Sequence, residues 1–465
     1  MRHVNPIRLL IPPIVLTVLL TVCPTAHGDE VVSFDDHVKP ILQRRCLKCH
    51  GNDEQQADLN LQNYATLMKG GSGGPVVKAG RPTSSVMFQA ITAKEDAARM
   101  PPESPPLPVS EIELIRKWIA AGLRETVGSK SLAASRTVTF DPLANAAMKP
   151  ETPPHWPRHF PPFKETPTKR QHPIVAMAAN PWAPLLAVSG YRQIRLFHID
   201  SRRQIGALGF PEGVPQVLKF SRNGGVLLAA GGKPVQSGRV VLFDVRTGKR
   251  LAQIGDELDA VMAADISPDQ QQIALGGSAR KVKTYATVNG ELQYTLERHT
   301  DWITEIAFSP DGKRLASADR AGGIHLWSAA DGAILLSPSS HSASVRSLSW
   351  RGDSQLLASG GEDGKLIWWN AADGFISSSK TDPHQPSRPP ETFGKIPNGV
   401  LDVVFGSDGR LLTSGRDQHA RVWSVDADLI TSFSIARATT TQVAFSHDGK
   451  VVIIGDSLGE IHFFE

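Results

Sequence analysis

Residues 306–317 read IAFSPDGKRLAS, and this stretch decides the fold of most of the chain. It contains a strand of alternating apolar residues, a turn at Pro310-Asp311-Gly312 and a second apolar strand. Alternation with a period of two is typical of a half-buried β-strand, and Pro-Asp-Gly favours a tight turn. The stretch therefore predicts a pair of antiparallel strands.

The same pattern recurs through the C-terminal part of the chain. The other copies are MAANPWAPLLAV (177–188), LKFSRNGGVLLA (218–229), ADISPDQQQIAL (264–275), LSWRGDSQLLAS (348–359), VVFGSDGRLLTS (403–414) and VAFSHDGKVVII (443–454). Third strands that end in an aromatic residue follow these pairs, as in VVLFDV, IHLW and ARVW. A period of about 40–45 residues with four strands per copy is typical of a β-propeller. Seven copies predict an all-β propeller of seven blades over residues 174–465.

These repeats resemble the WD-repeat family, whose members act as rigid platforms for partner proteins. The hydrogen-bonding set of that family is complete in the fifth blade alone, as His341, Ser359, Asp363 and Trp369. The sixth blade shows no His beside its Thr413, Asp417 and Trp423, and Ala321 stands where the fourth blade would carry the Asp. A buried His/Ser/Asp set is found in catalytic sites, but here we expect a network that pins the strands of a blade.

Two cysteines remain once the first 28 residues are set aside, in Cys46-Leu47-Lys48-Cys49-His50. A structural zinc site needs four ligands, usually from two pairs, and the sequence has no second pair. A thioredoxin-like dithiol opens a helix after a strand, whereas residues 34–45 read as a helix. The third interpretation is covalent haem c, because two thiols at this spacing reach both vinyl groups and the next residue places an imidazole at the iron. We predict one haem c held by Cys46, Cys49 and His50.

The sixth iron ligand is sought among Met68, Met87 and Met100, since no other His follows His50 in this segment. Met87 belongs to an apolar helix face and Met68 to a helix end, so we interpret both as structural. Met100 precedes two prolines, which hold the chain in a stiff extended conformation. We predict Met100 as the ligand opposite His50, in the His/Met coordination of electron-carrying cytochromes.

The rest of this segment is consistent with a small haem domain. Ser110-Glu111-Ile112-Glu113 has the capping-box pattern, which predicts a helix that runs through Ala121 and ends at Gly122. Residues 31–124 resemble the planctomycete-type cytochrome c domain, through FDDHVKPILQRRCLKCHG, AGRPTSSVMFQAI, RMPP and EIELIRKWIAAG. The resemblance implies a small all-α, class I-like cytochrome c domain. It assigns Cys46 and Cys49 to the thioether bonds, His50 to the iron and Met100 to the family's Met-Pro-Pro position.

The domain boundaries follow from shifts in composition. We assign 1–28 to a signal peptide, 29–125 to the cytochrome c domain, 126–173 to a Pro-rich linker and 174–465 to the propeller. The linker has a second candidate role, because an unpaired edge on the last blade would invite aggregation. A strand from 136–140 or from 160–168 would close the ring.

The leader predicts export to the periplasm or cell envelope. Arg2 and Arg8 precede an apolar stretch over 9–22, and Ala26-His27-Gly28 offers small residues for cleavage. The alternatives are an uncleaved anchor, for which the apolar stretch is short, and lipid attachment at Cys23. We expect contact with a membrane only in those two cases.

Charge and motifs together define the expected function. The formal net charge is +4 with no run of five or six like charges, so we expect no nucleic-acid partner. We expect an exported electron-transfer protein rather than an enzyme, with the propeller docking the haem edge to a redox partner protein. An interaction scaffold with a sensing haem and a haem peroxidase are the alternatives. The loop at 381–397 is the exposed candidate for partner contact, with a tolerated insertion as the alternative.

Overall fold

The computed structural model describes residues 32–93, 95, 99–129, 156–157, 172–384 and 399–465. The chain divides into two compact units, Met1–Ser135 and Arg136–Glu465. The predicted signal peptide, most of the predicted linker and both candidate closing strands lie outside the described residues. Within the described part of the chain, no helix is both long and apolar enough to cross a membrane.

The first unit is helical, as predicted. Its elements are a π-helical turn (Phe34–Val38), α1 (Lys39–Arg45), α2 (Leu47–His50), a 3₁₀ turn (Gln56–Asp58), α3 (Tyr64–Lys69), α4 (Val86–Thr92) and α5 (Val109–Ala120). Ile41 and Leu42 of α1 are buried in one apolar cluster with Ile115 and Trp118 of α5. Helix α5 therefore buries one apolar face in the core of the unit. The class I arrangement of these helices stays a prediction.

The predicted capping box at Ser110 is wrong. Helix α5 already begins at Val109, and the residue before it, Pro108, makes no side-chain cap. Proline has a fixed φ close to the helical value, so the helix begins beside it and Ser110 lies inside the first turn. The Glu113 carboxylate accepts hydrogen bonds from the Arg116 guanidinium instead, both at 2.8 Å. The predicted end is confirmed, because Gly122 follows with a φ of 91°.

The second unit is a seven-bladed β-propeller. Six blades are four-stranded antiparallel sheets paired in chain order, and the seventh has three strands among the described residues. Blades 1–4 comprise β1 (Met177–Ala179), β2 (Leu185–Gly190), β3 (Gln193–His198), β4 (Arg203–Gly209), β5 (Val214–Phe220), β6 (Val226–Lys233), β7 (Ser237–Asp244), β8 (Arg250–Glu257), β9 (Val261–Ile266), β10 (Gln272–Gly277), β11 (Val282–Ala286), β12 (Leu292–Leu296), β13 (Ile303–Phe308), β14 (Arg314–Asp319), β15 (Ile324–Ser328) and β16 (Ile334–Leu336). Blades 5–7 comprise β17 (Val345–Trp350), β18 (Leu356–Gly361), β19 (Lys365–Asn370), β20 (Ile376–Thr381), β21 (Val400–Phe405), β22 (Leu411–Gly415), β23 (His419–Trp423), β24 (Leu429–Ser434), β25 (Thr440–Phe445), β26 (Val452–Asp456) and β27 (Ile461–Phe464).

Hydrogen bonds join the innermost strands of neighbouring blades and of blades two apart. The Trp350 indole donates to the Ala307 carbonyl at 3.1 Å, joining blades 5 and 4. The Lys219 ammonium of blade 2 reaches blade 4, where it donates to the Glu305 carboxylate at 2.8 Å and to the Ile306 carbonyl at 2.7 Å. These contacts lie between innermost strands, so they fix the radius of the ring.

The last blade contacts the chain that enters the first. The Ile174 amide donates to the Asp456 carbonyl at 3.0 Å, and the Thr441 hydroxyl donates to the Ile174 carbonyl at 2.7 Å. Thr304 makes the same type of contact with the Val345 carbonyl, between blades 4 and 5. Blades 7 and 1 are therefore joined at the channel like an internal pair. The strand that would cover the outer edge of β27 is not among the described residues.

Candidate functional site

The Cys-x-x-Cys-His motif forms one turn at the junction of two helices. Cys46 follows α1, and its amide donates to the Leu42 carbonyl at 2.8 Å. Its own carbonyl accepts from the amides of Cys49 at 3.2 Å and His50 at 3.0 Å. The backbone therefore holds both cysteines and the histidine on a single helical turn.

Both cysteines are free thiols and half-buried. Cys46 packs with Leu47 against the apolar core of the unit. Burial raises the pKa of the Cys46 thiol to about 11, and the nearby Glu111 carboxylate adds to the rise. At neutral pH this thiol is protonated, which makes it a poor metal ligand in the absence of an activating group.

Glu111 ties the motif to the last helix. Its carboxylate lies 3.3 Å from the Arg44 guanidinium and 3.4 Å from that of Arg45, the two residues before Cys46. The Glu111 side chain is 15% exposed, whereas both arginines are largely exposed. These ion pairs hold the start of α5 beside the end of α1 and so beside the thiols.

His50 has an unsatisfied ring nitrogen. Its Nδ1 atom is buried and has no hydrogen-bond partner among the described residues. The backbone is fixed, because the Leu61 amide donates to the His50 carbonyl at 2.8 Å. A buried polar atom without a partner costs roughly 1–3 kcal/mol. Among the described residues, this ring nitrogen of His50 is therefore left without a partner.

The three methionines occupy different environments. Met87 is 8% exposed within the core and Met68 packs against it, which confirms the structural interpretation of both. Met100 is 40% exposed, and its amide donates to the Ala90 carbonyl at 2.9 Å. The backbone of Met100 is therefore anchored to α4 while its side chain reaches solvent. Its assignment as an iron ligand stays a prediction.

The propeller contains the predicted network in blade 5. His341 Nε2 lies 2.7 Å from the Ser359 hydroxyl, and its Nδ1 lies 3.0 Å from Asp363. The Trp369 indole donates to Ser359 at 2.8 Å. Ser359 is fully buried, and the bonds join β18, β19, the turn between them and the preceding loop. The set stabilises the blade, as expected.

Two further blades contain the network, which corrects the sequence analysis. In blade 4 the acid is Asp319 rather than a residue at position 321: His299 lies 2.8 Å from Asp319 and 2.7 Å from Ser317. In blade 6 the histidine is present as His384, 2.9 Å from both Asp417 and Thr413.

One sequence signal would have found His299. It precedes Ser317 by 18 residues, the same interval that separates His341 from Ser359. The interval from His384 to Thr413 is 29 residues, since most of the 381–397 segment lies between them. Residues 385–397 of that segment lie outside the described residues. Fully buried His384 shows that its start belongs to the blade rather than to an exposed loop.

Comparison with known families supports both halves of this description. Residues 46–104 are similar to the Planctomycete cytochrome C family. Residues 290–328, 332–370 and 389–424 are similar to the WD domain, G-beta repeat. The described parts of these three segments include the first three strands of blades 4, 5 and 6, where the networks occur. No curated protein matches the chain.

Proposed function

From a cytochrome c-like region and a seven-bladed propeller in one chain, we propose an exported monohaem c-type cytochrome that transfers single electrons. The propeller is its docking platform for a redox partner protein. The observation that carries the proposal is the placement of Cys46, Cys49 and His50 on one helical turn of a unit similar to a cytochrome c family.

The residues present fit a covalently held haem. Cys46 and Cys49 would form the thioether bonds, and His50, the next residue on the same turn, would bind the iron. A bound haem c supplies an iron that changes oxidation state reversibly by one electron. The apolar cluster behind Cys46 excludes water from one side of the motif, and Glu111 fixes the motif against α5. Met100 would occupy the sixth position from its anchored backbone.

The propeller supports a docking role through its rigidity. Three blades are fastened by buried networks, and the inner strands are cross-linked over the channel by Lys219. A rigid platform loses little entropy when it binds a partner. The near-neutral total charge predicts weak dependence of docking on ionic strength, unlike strongly steered redox pairs.

One observation favours a second candidate, a haem peroxidase. Met100 is 40% exposed, so the described residues do not enclose it. An enzyme of this kind requires a sixth position that substrate can occupy. Binding of cyanide to the ferric protein separates the two functions, since a carrier with a firmly held Met100 resists it.

The test is haem content and redox behaviour of the protein matured in an export pathway. We expect one covalent haem per chain by mass and by the absorption of its pyridine complex, and a single reversible one-electron wave. The double variant Cys46→Ala/Cys49→Ala should carry no covalent haem and yet melt normally in its propeller. Zinc in place of haem in the wild-type protein would refute the proposal.

The proposed docking role of the propeller is tested by a separate measurement. We expect native envelope membranes to reduce the full chain at least several-fold faster than a fragment limited to 29–125. Equal rates for both would show that the propeller takes no part in reaching the partner.

A further inference from the structure

Three side chains with metal-binding groups meet in the last blade. Asp456 ends β26, His462 lies in β27, and Glu460 belongs to the turn between these strands. One ligand atom from each side chain lies within 4.8 Å of the other two. Asp456 is 1% exposed, His462 is half-buried and Glu460 is exposed. The site has a buried base and an open side toward solvent.

The donor set suits a first-row divalent ion. One imidazole nitrogen and two carboxylate oxygens are ligands of zinc and its neighbours, at about 2.0–2.2 Å from the metal. Two atoms bound to one such ion are therefore roughly 3–4 Å apart. His462 Nε2 and Asp456 Oδ2 are already 2.9 Å apart. Only the exposed Glu460 side chain would have to move appreciably.

The buried carboxylate is oriented before any ion arrives. Asp456 Oδ1 accepts hydrogen bonds from the amides of Leu458 at 2.9 Å and Glu460 at 2.8 Å. This leaves Oδ2 to face His462. Hydrogen bonds that orient a metal-binding side chain in this way raise its affinity for the metal. Glu460 makes no salt bridge to any residue that the structure describes, so its carboxylate is available as the third ligand.

Comparison with the fourth blade shows that this triad is not required by the blade. The corresponding residues there are Asp319, Gly323 and His325, and Asp319 pairs with His299 from the preceding loop. A Cβ at Gly323 would lie 2.7 Å from the Asp319 carboxylate, so no ligand can stand at that position. In the seventh blade the preceding residues 435–439 contain no His. His462 turns to the acid instead, and Glu460 stands where blade 4 has glycine.

We propose that Asp456, Glu460 and His462 form a binding site for a divalent transition-metal ion of the zinc type. The site lies where the ring closes, because the Asp456 carbonyl accepts the Ile174 amide at 3.0 Å. An ion bound here links β26 to β27 and stiffens the blade that contacts the start of the first. Metal binding should therefore stabilise the propeller.

The experiment is a Zn²⁺ titration of the full, haem-loaded chain after treatment with a chelator. We expect one ion per chain by calorimetry, a rise of a few degrees in Tm with excess Zn²⁺, and a d–d absorption band when Co²⁺ replaces it. Glu460→Gln removes one ligand at an exposed position and should lower affinity at least tenfold. Glu465→Gln is the matched control, since Glu465 is an exposed carboxylate just after β27 that pairs with Arg202, and it should leave affinity unchanged.

The outcomes are separable. Loss of affinity and of the Tm rise in Glu460→Gln alone would establish the site. Equal Zn²⁺ affinity in Glu460→Gln and wild type would overturn it, and so would no binding at about 100-fold molar excess. Asp456 and His462 would then be a hydrogen-bonded pair only. Any zinc held by thiols of the first unit is common to all variants, so the comparison does not depend on the haem.

Discussion

The Nδ1 nitrogen of His384 lies 2.9 Å from the Asp417 carboxylate inside the sixth blade, although 33 residues separate them. The same ring contacts Thr413 on its other side, and the Trp423 indole donates to Thr413 at 3.0 Å. Burial lowers the pKa of the His384 imidazole, so the ring stays neutral and bonds through one donor and one acceptor. The segment that begins at 381 is therefore fastened at its start, and only residues beyond His384 are candidates for partner contact.

Substitution of Gly415 tests this anchor. A Cβ at Gly415 would lie 2.2 Å from His384 Cγ, so Gly415→Ala should displace the imidazole and destabilise the protein by about 1–3 kcal/mol. Urea unfolding followed by Trp fluorescence measures the loss. Gly352→Ala is the control, because nothing lies within 4 Å of its added Cβ, and its stability should be nearly unchanged.

A double variant separates a clash from a backbone effect. In Gly415→Ala/His384→Ala the obstructing ring is absent. The double variant should therefore lose less stability than the sum of the losses of the two single variants. Strict additivity would show that Gly415 and His384 do not interact.

Closure of the ring is tested at Thr441. Thr441→Val removes the hydroxyl that donates to the Ile174 carbonyl, and we expect a loss of about 0.5–1.5 kcal/mol. Thr304→Val removes the corresponding bond between blades 4 and 5 and should cost a similar amount. Equilibrium unfolding of both variants gives the comparison. A loss at Thr304 with none at Thr441 would mean that blades 7 and 1 do not meet in solution.

The central channel should make stability depend on pH. Burial raises the pKa of the Asp402 carboxyl to about 6, above its ordinary value of 3.8, and the charge of Glu305 adds to this. The folded state therefore holds a proton more tightly than the unfolded chain, and this contribution is lost as the pH rises through 6. Between pH 8 and pH 5 the wild type should gain about 1–1.5 kcal/mol from this group.

Asp402→Asn isolates that contribution, since an amide does not titrate in this range. The stability difference between wild type and variant should shift by the same amount from pH 8 to pH 5, measured by urea unfolding. The variant's stability must be subtracted from that of the wild type at each pH because His384 has the opposite effect. Its pKa is lowered in the folded state, so acid protonates the unfolded chain first and lowers the free energy of unfolding. A pH-independent difference would show that Asp402 keeps its ordinary pKa.

The repeat period of the strand pairs and the residues at their turns were sufficient to predict seven blades, because each strand pair forms from neighbouring residues in the sequence. The networks were harder to predict. In blade 5, Asp363 reaches His341 past Gly361, where a Cβ would lie 2.5 Å from the Asp363 carboxylate. In blade 4 the acid itself, Asp319, stands at the position of that glycine. The acid that bonds the histidine therefore stands at different sequence positions in the two blades. A motif with one fixed spacing finds only one of them.

The haem motif is the opposite case. Its chemistry is local, because attachment needs two thiols and an imidazole on one turn, and the structure places all three there. The capping box failed for a local reason too, since Pro108 begins α5 before Ser110. The identity of the sixth ligand depends on the position of the haem iron. The iron is not part of the polypeptide, so neither the sequence pattern nor the fold of the chain determines which residue binds it.

Met100 should decide between an electron carrier and a peroxidase. Its thioether favours ferrous iron, so His/Met coordination raises the reduction potential and keeps both oxidation states six-coordinate. Met100→Ala should therefore lower the potential, shift the ferric spectrum toward a high-spin or water-bound form, and allow cyanide and peroxide to bind. Potentiometry and absorption spectra measure these changes.

Covalent haem content provides the internal control, because Cys46 and Cys49, on the turn that joins α1 to α2, would make the attachment without Met100. Content should be unchanged in Met100→Ala. Met87→Ala should leave the spectrum intact and cost about 2–5 kcal/mol of stability, since that side chain is 8% exposed in the core. Met68→Ala should also leave the spectrum intact. A wild-type ferric protein that is already high-spin and binds peroxide readily would contradict the carrier assignment, and the exposed Met100 side chain would then line an open enzyme site.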